Sequence, residues 1–590
     1  MTSSSLARFA GPLALVMIGC GSSSAAGPAA GTAGAGGASS AGGASAAGGS
    51  GGGGQTGPYT PPPAATIVEQ GAVSIRREVF FVAGVDAGEN PTVAGSATPP
   101  ELAKSRVVRY RVDSDPPKPA KAIVVLMPGF LGGAGSLDGA ARALVRRSTE
   151  GAAIEAWAID RRSNLMEDHH GLEVAEFRQD AELAHSYYLD AGTLEGKSFA
   201  GFKQQSDVPW ESEWGIPTTI GDLRNVISIV PPAERRGRVV LLGHSLGATI
   251  VEEYAAWDFA GTAGYAELAG LALVDGVSGA EGDTTPPRPQ DKYEKGGDMA
   301  PGGFGTAPGV ADIRKSLRYF ALPLLGTKVY PVAAIAAMRS VWTPKAITPD
   351  DDRDKLLQTL LSLTTVPKLT NRAAMGFAFD VKSNGLSFAA VSCGQGTGGE
   401  LGSYDSVFGS KLIHPSDPLA TYEWTDWDMS SPKGNTSLDD FARVWFDGPG
   451  LDFAEWYFPQ RLTADAPIAS TLVLKAGDFA YDDYAMRATH GAEIDLPVLA
   501  APAALLGGDV SKFDKLKALI APVGANRPLA GKPRSDAGAF HLAPHPELTH
   551  IDSIAATDAP GSAGRAWYDE LSAFVGANTT AGGVVVPVQP

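Results

Sequence analysis

Short apolar runs with few polar interruptions recur along this chain at Ala122–Met127, Ile154–Ile159, Arg238–Leu242, Leu271–Val274 and Leu496–Ala500, with a weaker one at Ala539–Leu542. Such runs have no polar face. That is the pattern of strands covered on both sides in a parallel sheet. Ahead of them, Val73–Val82 and Arg106–Val112 alternate in character and predict two more exposed strands. Helical periodicity fills most of the gaps, at Leu137–Arg147, Leu172–Leu189, Ile220–Ile229, Ala248–Trp257, Lys512–Ile520 and Gly564–Val575. Antiparallel strands followed by alternating strands and helices predict an α/β fold with a doubly wound, mostly parallel, eight-stranded sheet.

Two stretches break the rhythm. Arg161–Trp214 is long for one crossover, and Gly276–Glu493 puts more than 200 residues between neighbouring strands. The second opens with a Pro/Gly-rich loop, Gly282–Pro308. It continues with helix candidates such as Pro349–Leu361, where Thr348 caps and Pro349 takes the first helical position. It also holds two aromatic clusters, Tyr422–Trp427 and Trp445–Phe458, which read as the core of a lid or as a substrate wall. An insertion of this size at the carboxyl edge of a parallel sheet predicts a large, mainly helical cap. The expected organisation is a core in two parts, 65–275 and 494–577, interrupted by a cap at 276–493 and followed by a tail at 578–590.

The first 64 residues carry a different signal. Arg8 precedes a short apolar stretch, Phe9–Ile18, too short to span a bilayer. Met17-Ile18-Gly19-Cys20 then resembles a bacterial lipobox, with a signal peptide at 1–19 and lipidation at Cys20. Residues 21–63 are almost entirely Gly, Ala, Ser, Pro and Thr. They bury nothing that could offset their ordering entropy, so 20–64 reads as a flexible tether. Two or three acyl chains would anchor such a protein stably. The expected location is the cell envelope, at the outer membrane of a Gram-negative bacterium. The nearest thing to a further spanning segment, Phe320–Met338, is interrupted by Lys328 and by Gly and Pro.

The 590 residues exceed one ordinary core. The 48 basic against 65 acidic residues give a formal charge of −17. That surface disfavours nucleic acid as a partner. With Cys20 modified, Cys393 has no partner among the chain's two cysteines, which excludes a disulfide framework or a cysteine-rich zinc site. Glu167-Asp168-His169-His170 hints at a metal, but adjacent histidines point apart and no further ligand spacing supports it, so no metal and no cofactor are expected.

The chemistry is concentrated in Val239-Val240-Leu241-Leu242-Gly243-His244-Ser245-Leu246-Gly247-Ala248. A buried strand enters Gly-x-Ser-x-Gly and leaves as a helix. The turn is so tight that positions two before and two after the serine must lack side chains, hence Gly243 and Gly247. The bare pattern is weak in a chain with 72 glycines, and Gly48-Gly49-Ser50-Gly51-Gly52 matches it inside the tether. Only the 243–247 copy has a strand before and a helix after.

On these residues the chain resembles the α/β-hydrolase superfamily over roughly 70–280 and 490–576. The resemblance implies Ser245 as nucleophile, a histidine base, an acid, and a backbone oxyanion hole, in the chain order Ser–Asp/Glu–His. Met127-Pro128-Gly129-Phe130 after the third expected strand matches the oxyanion loop, which assigns the N–H groups of Phe130 and Leu246 to the hole. Three of nine histidines lie late enough for the base: His541, His545 and His550. His550, in Leu548-Thr549-His550-Ile551-Asp552, best fits the terminal loop. The expected acid is Asp275, directly after Leu271–Val274, with Asp509 as the alternative because the stretch after Leu496–Ala500 holds no acid before it; Asp478 would need a different strand assignment. The expected activity is hydrolysis of a small-molecule or lipid ester through an acyl-enzyme on Ser245, as in a carboxylesterase or lipase. A peptidase or acyltransferase on the same triad, or an inert binding lipoprotein of this fold, is the alternative. Asp160-Arg161-Arg162 reads as a buried ion-pair corner near the site.

Overall fold

The computed structural model describes residues 55, 57–61, 63–276, 278, 289–297, 308–321, 326–350, 367–405, 411–430, 434–448 and 452–588. The expected signal peptide and Cys20, most of the expected tether, most of the expected Gly282–Pro308 loop and nearly all of the expected Pro349–Leu361 helix lie outside the described residues.

The core is one mixed sheet. Its strands are β1 (Ala65–Glu69), β2 (Ile75–Ala83), β3 (Lys104–Val112), β4 (Ala120–Met127), β5 (Ala153–Asp160), β6 (Val239–His244), β7 (Gly270–Val274), β8 (Val498–Ala501) and β9 (Phe540–Leu542). Their spatial order is β1-β2-β3-β5-β4-β6-β7-β8-β9. The first four in that order pair antiparallel; from β5 onward every pair is parallel. Nine strands are present rather than eight. The extra one, Ala65–Glu69, pairs with the start of β2 at the edge through an irregular register between Ile67 and Glu69. It is short and partly polar, so its apolar pattern is too weak to stand out.

The central strands behave as their composition demands. All of β5, β6 and β7, and nearly all of β4, are buried, and helices cover both faces. Helices Ile216–Ser228 and Leu246–Ala256 pack on one face through Ile220, Leu223, Ile250 and Val251. Helices Asp138–Arg146 and Ala563–Asn578 pack on the other through Leu144, Trp567 and Leu571. The antiparallel side carries charge inside the sheet. Arg109 forks onto Glu155 at 2.6 and 2.8 Å, and Arg111 onto Glu78 at 2.6 and 3.0 Å. These are cross-strand pairs: Arg109 meets both Glu155 oxygens in a bidentate bond, whereas both Arg111 donors converge on one Glu78 oxygen. The expected helix Leu172–Leu189 is two helices, His170–Arg178 and Ala181–Leu189. They are broken where Gln179 turns left-handed (φ 54°) and Asp180 caps the second.

Between β7 and β8 the described residues form helices, notably Val329–Trp342, Asn371–Phe379 and Gln460–Ala469, with short strands such as Gly394–Thr397 and Thr421–Asp426. The two rhythm breaks form one apolar body: Tyr187, Tyr188 and Trp214 from the first pack with Tyr330, Phe377, Phe453 and Trp456 from the second. The apolar half of Phe320–Met338 belongs to the buried helix Val329–Trp342. Among the described residues no helix is long and apolar enough to cross a membrane. Cys393 is buried beside Asp380.

Leu241, fully buried at the centre of β6, tests this core. Leu241→Ala is expected to lower unfolding free energy by about 2–5 kcal/mol, read as a shift in the urea midpoint with an unchanged slope.

Candidate active site

β6 delivers Ser245 at its carboxyl end, and helix Leu246–Ala256 begins at the next residue. Ser245 has φ 57° and ψ −126°, a conformation costly for any residue with a side chain. Its N–H donates to the carbonyl oxygen of Val274 (2.9 Å) and its carbonyl oxygen accepts from Ala248 N–H (2.9 Å), so neighbouring backbone holds the bend at both ends. A methyl group on Gly243 would run into the Gly247 backbone, and one on Gly247 into the carbonyl oxygen of Met127. Both positions therefore require glycine through close approach. The helix start leaves N–H groups without intrahelical acceptors beside the serine.

His550 lies beyond β9 and Asp275 immediately after β7. The His550 Nδ1 lies 2.8 Å from Asp275 Oδ2, with both side chains buried. Asp275 is itself strained (φ 42°), its N–H donating to the Ala501 carbonyl at 2.9 Å. Its carboxylate accepts three further backbone N–H groups, from Ala503 (2.7 Å), Leu505 (3.2 Å) and Leu506 (3.3 Å). The loop after β8, which has no acid in its first turns, thus supplies the donors that orient an acid carried by β7.

The structure brings together Ser245, His550 and Asp275, and leaves the other candidates elsewhere. Asp509 is exposed and caps the turn Val510–Phe513 through Ser511. Asp478 closes an exposed turn onto Lys475 N–H. His541 and His545 both turn to Glu570 on the last long helix, at 2.6 and 3.1 Å.

The loop after β4 closes the site from the other side. An atom at the Cβ position of Gly129 would lie 2.6 Å from the Ser245 Cβ, so Phe130 follows at the serine. The Phe130 ring packs edge-on to Phe458 (4.7 Å) and Phe320 (5.1 Å). A cavity of about 870 Å³, including its mouth, opens over Ser245 and His550. Phe130, Tyr330, Phe388, Trp445, Phe453 and Ile551 are among its walls, and no Asp, Glu, Lys or Arg lines it. The two aromatic clusters therefore divide. Trp445 and Phe453 face the cavity, while Tyr422 and Trp424 pack behind it against Phe377.

Sequence reasoning missed the groups that hold His550. His244 Nε2–H donates to the His550 carbonyl at 3.0 Å, and the two rings lie 4.4 Å apart. Burial, then the neighbouring His550, hold the His244 imidazole well below its ordinary pKa and keep it neutral. Ser553 Oγ donates to the same carbonyl (2.7 Å). Asp552, fully buried, accepts from Thr549 N–H, Ser392 N–H and Thr436 Oγ, which ties the His550 loop to the insertion. Only position relative to His550 could have flagged Asp552 and Ser553. Nothing local marks Ser392 or Thr436.

Asp160-Arg161-Arg162 is a buried ion-pair corner in which each residue has its own partner. Asp160 accepts from Arg106 Nε (2.6 Å) and Ala134 N–H (2.6 Å), and burial pushes its carboxyl up to about 7 against the pull of Arg106. Arg162 forks onto Asp222. One expectation needs correcting: the Glu167–His170 motif does acquire a further possible ligand. Asp452 from the insertion brings a carboxylate oxygen within 4.8 Å of Glu167 and His169. The Arg106 guanidinium donates to both Asp452 oxygens, at 3.2 and 3.3 Å, and supplies positive charge there.

The sheet order, the strained serine between β6 and its helix, and the loop after β4 define the α/β-hydrolase fold. No family model matches the chain, and no curated protein does. Solved structures similar to it include the following three. The peroxisomal α/β-hydrolase of Saccharomyces cerevisiae is 10% identical, covering 88% of this chain and 94% of that one, with TM-score 0.34. An α/β-hydrolase fold protein from Nakamurella multipartita is 12% identical, covering 85% and 99%, with TM-score 0.31. A soluble variant of monoglyceride lipase from Saccharomyces cerevisiae is 11% identical, covering 81% and 92%, with TM-score 0.31.

Because Gly247 has no room for a side chain, Gly247→Ala is expected to displace the turn. Crystallography of that variant should find the Ser245 φ moved from 57°, or its melting temperature should fall by several degrees.

Proposed function

We propose that this protein is a serine hydrolase that cleaves carboxylic esters, with Ser245 as nucleophile, His550 as general base and Asp275 as the acid that orients it. The observation that carries this reading is the 2.8 Å contact between His550 Nδ1 and Asp275 Oδ2 beside a serine held at φ 57° in a shared cavity. Asp275 accepting at Nδ1 keeps the proton there and leaves Nε2 to take the Ser245 proton. Ser245 Oγ then attacks the ester carbonyl, and the N–H groups of Phe130 and Leu246 receive the developing oxyanion. The protonated His550 gives its proton to the leaving alcohol. Water, activated by the same imidazole, releases the acyl group. The walls favour an ester with an apolar acyl or alcohol part over a peptide, whose backbone groups would go unpaired there.

In this reading, residues 276–493 form a cap whose described part supplies half of the residues lining the cavity, and the protein is exported with Cys20 as its lipid anchor. The acidic chain gives it no nucleic-acid partner.

Fluorophosphonate labelling tests the nucleophile. Wild type should label and Ser245→Ala should not. Hydrolysis of p-nitrophenyl esters should fall about 10⁴-fold or more in Ser245→Ala and His550→Ala, and about 10³- to 10⁴-fold in Asp275→Asn. Asp509→Asn should match wild type. An Asp275→Asn enzyme of full activity would remove that residue from the mechanism. For the anchor, Cys20→Ser should move the protein from the membrane to the soluble fraction of fractionated cells. Retention on membranes would exclude lipidation as the tether.

A further inference from the structure

Arg161 follows directly on β5 and reaches into the loop after β4. Its Nη2 donates to the carbonyl oxygens of Pro128 (2.6 Å) and Gly129 (3.0 Å), and its Nη1 to that of Gly132 (3.3 Å). Nη1 also pairs with Glu455 Oε2 at 2.6 Å. Glu455 comes from the insertion, is fully buried, and accepts from Ser163 Oγ with its other oxygen. The backbone around it is joined to the same loop. Glu455 N–H donates to the Leu131 carbonyl (2.8 Å), Gly133 N–H to Phe453 (3.0 Å) and Gly135 N–H to Asp452 (3.1 Å).

One of these bonds has a particular geometric consequence. The Gly129 carbonyl and the Phe130 N–H belong to one planar trans peptide and point in opposite directions. A donor fixed on the Gly129 oxygen therefore fixes where the Phe130 N–H points. A cation on that oxygen also polarises the N–H and makes it a stronger donor. Reaching three carbonyls and a carboxylate at once takes a planar fork with five donors, which arginine has and lysine lacks.

We propose that Arg161, held by Glu455 of the insertion, is a positioning residue that sets the Gly129–Phe130 peptide so that its N–H serves the oxyanion. This rests on the reading of Ser245 as nucleophile and of the Phe130 N–H as an oxyanion donor. The cap segment 452–455 then completes the donor geometry of the core as well as walling the cavity.

The test is saturation kinetics of Ser245 phosphonylation by an alkyl fluorophosphonate. In that step the Oγ–P bond forms, the P–F bond breaks, fluoride leaves and the hydroxyl proton passes to His550. R161K keeps the charge but not the fork. With a wild-type circular dichroism spectrum, it is expected to lower the maximal rate about 10- to 100-fold and to change the binding constant by less than about threefold. A merely structural role would shift the melting temperature without this split. A folded R161K that reacts at the wild-type maximal rate overturns the inference and leaves the proposed function standing. Absence of labelling in wild type overturns the proposed function itself. If R161K does not fold, E455Q decides. It weakens the grip on Arg161 and is expected to slow the maximal rate about 3- to 10-fold, and a wild-type rate in that variant overturns the inference.

Discussion

A serine held with φ 57° between a buried strand and a helix buried over most of its length is the constraint around which the site is arranged. Left alone, that backbone would relax. It persists because β6 is hydrogen-bonded between β4 and β7, the helix behind it is packed by Ile250 and Val251, and the turn is held at both ends by Val274 and Ala248. The same packing leaves no space at Gly243 or Gly247. The strain is local, and the structure that sustains it is the whole centre of the sheet.

Every other component of the site is a strand end or loop aimed at that bend. β7 places Asp275, and the loop after β8 gives it three N–H donors. The segment after β9 places His550, whose carbonyl is held by His244 and Ser553. In the proposed mechanism a carboxylate just after β7, with its donors in the loop after β8, does the orienting work of an acid after β8, so the empty stretch Ala501–Gly508 is no deficiency. Its backbone is already engaged.

The insertion is joined to the core by buried charge as well as by apolar contact. Arg106 bonds both Asp160 and Asp452, Arg161 bonds Glu455, and Arg461 bonds Asp465, which in turn accepts from Ile216 N–H. Burying such groups is costly unless each is paired and hydrogen-bonded in one geometry. Apolar surfaces tolerate sliding, whereas these pairs do not. Their effect is to set the register of the insertion against the loop after β4, as Asp552 does for the His550 loop by accepting from Ser392 and Thr436.

What could be read from the chain alone was what is local. The central strands, the flanking helices and the cramped turn at 243–247 follow from hydrophobic period and steric limits within a few residues, and their bounds differ from expectation by a few residues at most. The late position of His550 and the Asp-Gly after β7 were visible too; that they meet across 275 residues was only an implication of the family resemblance, since nothing local in the chain requires it. His550 is preferred over His541 and His545 by its place in the terminal loop, and the structure pairs it with Asp275 while Glu570 holds the other two; the division of the aromatic clusters into cavity wall and supporting core depended on how the insertion folds back. The ninth strand escaped notice because a short edge strand has little apolar signal. Asp452, Glu455 and Thr436 carry no local mark, since their significance lies in partners hundreds of residues away. Periodicity reports how a residue meets its neighbours in the chain, and only the tertiary structure could decide which distant charges share one buried space.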